Sequence, residues 1–282
     1  METMDAFDRD GYVILREFLS EDEVRDIERV YDEILAGKRV DLTTLGRDFC
    51  DMSATYSTPA EKFNMVNVVL PTRHVPEWKG NVLERKVEEV AHKWFLSHDD
   101  EAMMDYDQLL AKKPGKTDAI FAWHQDLGYW PVGAPNNRTM TFSLALDDAD
   151  EENGCLMVIP ESHKEPQLRP HRPAAKAGGD GRSDAHTLVA DVDLNGRDTV
   201  QYLHVRRGDV TIHNERIVHG SGGNSSPTRW RRTYVIAYRS RGTVEYERSI
   251  GFTHSHNDQI NWKTHLALNQ AREQCGASGA GR

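Results

Sequence analysis

The chain has 282 residues and a formal charge of −10, with 45 Asp plus Glu against 35 Lys plus Arg, a balance that argues against a general nucleic-acid binder, which needs a basic face. Its 38% hydrophobic and 28% charged residues describe a soluble globular protein with enough apolar material for a substantial core. No run approaches the roughly 18 apolar residues of a membrane span, and Cys50, Cys155 and Cys275 are scattered without a CxxC pair, as expected for reduced thiols in a cytoplasm.

The opening Met1–Asp10 is acidic and lacks the apolar core of a secretory signal. Phe7 to Leu15 predicts a short turn followed by a strand. Ser20-Glu-Asp-Glu23 is a capping box, and Val24, Ile27, Tyr31, Ile34 and Leu35 then recur at helical spacing until Gly37. Residues 41–60 are polar and irregular. Phe63 to Leu70 is β-like and stops at Pro71. Leu83, Val87, Val90, Ala91, Trp94 and Phe95 form the stripe of a second amphipathic helix, and both stripes suit packing on a sheet.

From about residue 102 the pattern changes to short strands: Met104–Leu110, Ala119–Asp126, Arg138–Leu146, Cys155–Pro160, Val200–Val205, Asp209–His213 and Thr233–Tyr238. Gly, Pro, Asn and Asp turns separate them, which predicts a sandwich or jelly roll. A stretch at about 164–187, rich in Pro, Gly, Arg and His, reads as a lid loop. Residues from about 257 to 282 form a C-terminal helix or tail with a frayed Gly/Ala/Ser end.

Within Ala119–Trp130 stand His124 and Asp126. Two residues apart on a strand, they point to the same side, about 6–7 Å along the chain. That is two-thirds of the 2-His-1-carboxylate face that holds non-haem Fe(II) and leaves positions open. Candidates for the third ligand lie in Arg207–Asn224, where His213 and His219 follow one another and Gly220-Ser-Gly-Gly-Asn leaves the His219 ring unobstructed. His204 is a further competitor. Beyond them come Arg229, Arg231 and Arg232, any of which could grip a small dicarboxylate.

Four segments in order carry a family resemblance: Asp8-Arg-Asp-Gly-Tyr-Val-Ile-Leu15 with Leu19–Val24, Trp123–Trp130, Ala145–His163, and His219–Asn224 with Arg231. They are similar to the phytanoyl-CoA dioxygenase-like family of Fe(II)- and 2-oxoglutarate-dependent oxygenases, over about residues 7–240 of what reads as one domain, 1–282. The resemblance implies a mainly β protein with flanking helices, its core a double-stranded β-helix (jelly-roll, cupin-like) with N-terminal helices packed on the sheet. It implies His124, Asp126 and His219 as iron ligands and Arg231, Ser221 and Lys113 as 2-oxoglutarate contacts. Arg231 lies 12 residues after His219, one more than is usual, so Arg229 and Arg232 stay open. Iron, 2-oxoglutarate and O2 would then oxidise a C–H bond of a small-molecule substrate, releasing succinate and CO2. Related halogenases are expected to carry a small residue in place of Asp126, so a carboxylate there favours hydroxylation. His213 reads as a supporting histidine and His163 as part of a backbone-organising turn with Asn153-Gly154. Gln108, Thr141 and Ser143 could line the site, and Arg169, His171, Arg172 and Lys176 could meet an anionic substrate. Specialised metabolism, acyl-CoA hydroxylation and a non-catalytic jelly-roll binding protein are the competing ends. Oligomeric state is not legible, and neither nucleic acid nor membrane is expected as a partner.

Overall fold

The computed structural model describes residues 2–131, 133–173 and 188–261. Its main sheet is antiparallel and seven-stranded, built from β1 (Tyr12–Leu15), β2 (Phe49–Asp51), β3 (Met65–Val69), β4 (Ala102–Lys112), β6 (Thr139–Ala145), β11 (Val210–His213) and β13 (Arg231–Ser240). The spatial order is β1-β11-β6-β13-β4-β3-β2. A smaller sheet, ordered β10-β7-β12-β5, joins β5 (Phe121–His124), β7 (Leu156–Val158), β10 (Gln201–Leu203) and β12 (His219–Ser221). A short pair, β8 (His171–Pro173) with β9 (Leu188–Ala190), stands beside β5.

Alternation along the central strands sorts the side chains to two faces. On β13, Tyr234, Ile236 and Tyr238 join the main apolar core, as do Met140, Phe142 and Leu144 on β6. The intervening Thr233, Val235, Thr141 and Ser143 line a cavity on the opposite face, which residues of the smaller sheet close. The molecule is therefore mainly β with helices outside one sheet and a cavity between two, the cupin-like double-stranded β-helix that the resemblance implies.

Helices α2 (Glu21–Leu35) and α4 (Val82–Leu96) cover the apolar face through Val24, Ile27, Tyr31 and Ile34 and through Leu83, Val87, Ala91, Trp94 and Phe95. The predicted capping box is present: Ser20 Oγ accepts from Glu23 N–H, and Glu23 Oε2 accepts from Ser20 N–H at 2.8 Å. Tyr31 reaches through the core to donate to the Leu110 carbonyl at 2.6 Å, fixing α2 to β4.

Three helices arise where the sequence pattern predicts none. The stretch before β1, expected as a turn, is instead α1 (Glu2–Asp10), stopped by Gly11 at φ 82° with its N–H bonded to the Phe7 carbonyl. Phe7 anchors it edge-on against Trp94, ring centroids 5.4 Å apart, a tertiary contact that local pattern does not contain. After β13 comes α5 (Arg241–Ser249), and between β3 and β4 a single turn, α3 (Pro71–His74). Among the described residues no helix is long and apolar enough to cross a membrane. The expected C-terminal helix lies, from residue 262 on, outside the described residues.

On β4, Asp107 is 1% exposed and accepts from Thr72 N–H and Tyr234 O–H. Burial pushes its carboxyl up to about 6, only partly offset by those donors. Because the folded value is raised, the stabilisation is complete below the unfolded carboxyl range and is lost as pH rises through 6. Asp107→Asn should therefore raise the unfolding free energy from urea titration at pH 8 by on the order of 2–3 kcal/mol, and leave it little changed at pH 4.

Candidate metal centre and anion pocket

The register of two short strands brings the candidate ligands together. His219 on β12 pairs directly with His124 on β5, and their rings stand 4.1 Å apart. The close approach depends on Gly220, where a Cβ would lie 2.8 Å from the Phe121 carbonyl oxygen. His219–Ser221 is thus a central strand, flanked by β5 and β7. Asp126 sits just past β5 in a 3-10 turn, Asp126–Gly128. Its Oδ1 nevertheless lies 3.2 Å from His124 Nε2 and 3.6 Å from His219 Nε2.

Hydrogen bonds fix what these atoms present. His124 Nδ1 lies 2.7 Å from the Ala122 carbonyl and His219 Nδ1 lies 3.0 Å from the Ile217 carbonyl. A carbonyl only accepts, so both Nδ1 atoms carry hydrogen and both Nε2 atoms turn towards Asp126. Burial and the neighbouring His124 push His219 down to about 3, leaving it neutral. Burial alone would raise Asp126, but His219, His124 and His213 hold it well below the usual carboxylate range. The Nε2 atoms of both rings thus face one buried carboxylate, a donor set that fits a cation. The three donor atoms lie within 4.8 Å of one another and could hold one metal ion.

The flanking contacts hold the metal loop in place. His213, read as a supporting histidine, sits with Nε2 3.4 Å from Asp126 Oδ2 and orients the carboxylate. Gln125, buried between the two candidate ligands, donates its amide to the Arg216 carbonyl and accepts from Arg169 N–H at 2.8 Å. Its own N–H donates to His171 Nε2, which burial and His124 push down to about 4 and so keep free to accept. Gly128 leaves room for that ring; a Cβ there would stand 3.1 Å from it. The start of the expected lid is therefore built into the site wall, while 174–187, with Lys176, lies outside the described residues. Arg169 is consumed by Glu165 and Asp198, and Arg172 pairs with Asp191.

Arg231 lines the same cavity, 7% exposed, and no carboxylate of the described residues pairs with it. Its Nε is buried without a hydrogen-bond partner. Arg229 is instead held by Asp150 and Glu152, and Arg232 by Asp147, Glu28 and Asp32. Directly opposite Arg231 in the β13–β4 register is Lys112, fully buried, donating to Ser221 Oγ at 2.6 Å and the Gly222 carbonyl at 2.5 Å. Burial, then Arg231, pulls this lysine well below its usual range. A buried guanidinium without an acid, beside a hydroxyl that a buried lysine holds, forms an anion pocket.

Lys113, the lysine the resemblance points to, is half-buried, does not line the cavity, and its backbone N–H bonds Asn64. The alternation of β4 carries the signal for its neighbour, since Gln108, Leu110 and Lys112 share one face. Gln108, Thr141 and Ser143 do line the cavity. His163 contacts the Asp8 carbonyl of α1, and His204 is exposed beside Glu151. Sequence reasoning missed Phe252, His254 and His256, which also line it, because the segment after β13 carries no periodic pattern; it also missed Tyr106 on the predicted strand β4.

A family model described as phytanoyl-CoA dioxygenase (PhyH) matches residues 7–233. The chain belongs to this family. It is an iron- and 2-oxoglutarate-dependent dioxygenase. Among relatives of this PhyH-family enzyme, the ectoine dioxygenase of Sphingopyxis alaskensis is 28% identical over 231 residues, 79% of this chain and 70% of that one. The peroxisomal phytanoyl-CoA dioxygenase of Bos taurus is 27% identical over 233 residues, 80% and 64% of the two chains. EvdO2 from Micromonospora carbonacea var. aurantiaca, solved in complex with 2-oxoglutarate, shares the fold at TM-score 0.62 and 22% identity, covering 85% of this chain and 90% of its own.

The geometry predicts graded losses of metal. His219→Ala should remove Fe(II) binding under anaerobic competition titration. His213→Ala, which loses only the contact to Asp126, should weaken binding by roughly 10–100-fold. Unchanged affinity in the second variant would assign the carboxylate's orientation to other contacts.

Proposed function

We propose that this enzyme oxidises an unactivated C–H bond of a small-molecule metabolite, by hydroxylation, in specialised metabolism. In this reading His124, Asp126 and His219 hold the iron, and Arg231 with Ser221 holds the far carboxylate of 2-oxoglutarate, while Lys112 acts through its hydrogen bond to Ser221 Oγ. Lys113 keeps at most an indirect part, through the strand end it closes. The observation that carries the proposal is one cavity lined both by three converging lone-pair donors and by a buried arginine without an acid.

Bound iron and 2-oxoglutarate supply the oxidising chemistry with O2, giving succinate and CO2. The chain's own residues orient and exclude. His213 and the two carbonyl-bound imidazoles keep the donor atoms turned inward without reorganisation. The Arg231 fork fixes the cosubstrate by charge and bidentate geometry. Phe121, Tyr129 and Trp130 wall the metal side against water. Asp126 occupies with a carboxylate the position that a halide would need, which favours hydroxylation over halogenation.

A small substrate is favoured over an acyl-CoA because Arg231 is the sole lysine or arginine among the described residues lining the cavity, leaving no second cation for CoA phosphates. The same arginine disfavours a metal enzyme that needs no keto acid, and the lone-pair cluster disfavours a metal-free binding protein. The buried thiols of Cys50 and Cys155 suit a reducing cytoplasm, and one catalytic domain is part of the proposal.

Screening metabolites for stimulated succinate release tests the reaction class, and a panel giving none above the uncoupled rate would count against it. In Arg231→Ala the 2-oxoglutarate requirement should rise by roughly 30–1,000-fold, the loss of a buried charged contact of about 2–4 kcal/mol, with the thermal transition retained. An unchanged requirement would move the cosubstrate clamp elsewhere.

A further inference from the structure

Behind the metal loop the cavity is closed by an aromatic wall with a histidine at its centre. The His254 ring lies 4.4 Å from Tyr106, 4.6 Å from Trp130 and 4.6 Å from Phe252, centroid to centroid. All four line the cavity shared with His124, Asp126 and His219. His254 has φ 67°, so the chain holds a non-glycine residue in the left-handed region to put this ring in place.

The two ring nitrogens differ. Nε2 lies 2.7 Å from Asp105 Oδ2 and 3.4 Å from Glu247 Oε2, and carboxylates only accept, so Nε2 carries hydrogen. Both acids are also held by Arg239 and Arg248, which argues against a second metal site at Asp105, Glu247 and His254. Glu215, the third acid on Arg239, accepts from Trp130 Nε1. His254 Nδ1 has no hydrogen-bond partner among the described residues, and the residue is 6% exposed. Burial would strip the ring of its proton, but Asp105 outweighs it and holds His254 above its ordinary value. The ring is thereby held towards its protonated form, with Nδ1 left unpartnered.

We propose that His254 is the substrate-recognition residue of this cavity, its Nδ1–H donating to a substrate carboxylate whose apolar or aromatic body lies against Tyr106, Trp130 and Phe252. The inference rests on reading the cavity as an oxygenase chamber with Arg231 assigned to the cosubstrate. A fixed cation in a dry wall discriminates strongly, because a neutral isostere leaves the charged donor unmet.

The probes are phenylacetate and phenylacetamide, measured by calorimetry on the full chain, anaerobic, with Fe(II) and saturating 2-oxoglutarate. Phenylacetate should bind tighter by roughly tenfold to a hundredfold, the worth of a hydrogen bond to a charged group. His254→Gln, whose amide can still donate to Asp105, should bind both alike and keep the visible charge-transfer band of Fe(II) with 2-oxoglutarate. Equal affinities in the wild type, or discrimination undiminished in the variant, overturns the proposal while the band vindicates the site. Absence of the band in the wild type overturns the oxygenase reading, and this inference with it. Should the variant fail to fold, 15N-histidine NMR of the wild type decides: the His254 Nδ1–H resonance should move with phenylacetate and not with the amide, and a resonance indifferent to both overturns the assignment.

Discussion

Unshared lone pairs pointing at one place are costly in a folded protein, and the metal face of this chain is built on that cost. Backbone carbonyls hold the Nδ1 hydrogens of His124 and His219, so neither ring can turn to relieve the contact with Asp126. Nor can the strands spread. His219 and His124 are direct cross-strand partners, and Gly220 lets β12 lie against β5 with no side chain between. The separations of 3.2 and 3.6 Å from the carboxylate are thus set by sheet register, and a divalent cation is the species that turns the arrangement from repulsive to binding.

The same logic sorts the arginines. Taking a guanidinium out of water is affordable when a carboxylate comes with it, and Arg229, Arg232, Arg169 and Arg239 all bring at least two acids. Arg231 brings none among the described residues and lies opposite a second buried basic side chain, Lys112. Strand alternation does the sorting, for it turns Arg231 into the cavity and its neighbour Arg232 towards α2, where Glu28 and Asp32 wait.

Much of this was legible in the sequence because the relevant signals are local. The capping box at Ser20, the stripes of α2 and α4, and most of the strands follow from spacing alone. The convergence of His124, Asp126 and His219 was legible through motif order, although Asp126 leaves the strand and reaches the histidines from a turn. What stayed hidden depends on long-range contact. Helix α1 is held by Phe7 on Trp94, and α5 by charges buried against β4 and β13. The choice of Lys112 over Lys113 turns on where β4 ends, and a one-residue shift reverses the face. His254 belongs to a segment with no period at all; only its partners give it meaning.

Those partners also tie the rear of the molecule to the metal. Trp130, four residues beyond Asp126, donates to Glu215, and the Glu215 carbonyl accepts from Leu127 N–H in the same turn. Glu215 pairs with Arg239 at 3.3 Å, and Arg239 pairs with Glu247 of α5 and with Asp105 of β4. In such a buried set each charge is tolerable only while its neighbours remain, and removing one member costs about 3–5 kcal/mol because it strands another. The network therefore has little freedom to rearrange piecemeal. It clamps the turn that carries the Asp126 carboxylate to α5 and to the strand that carries Tyr106, so the spacing between the candidate ligands and the aromatic wall is set by ion pairs rather than by loop packing. A loop anchored only by apolar contact could drift by the ångström that separates a productive C–H position from an idle one. The charges make this spacing a property of the fold.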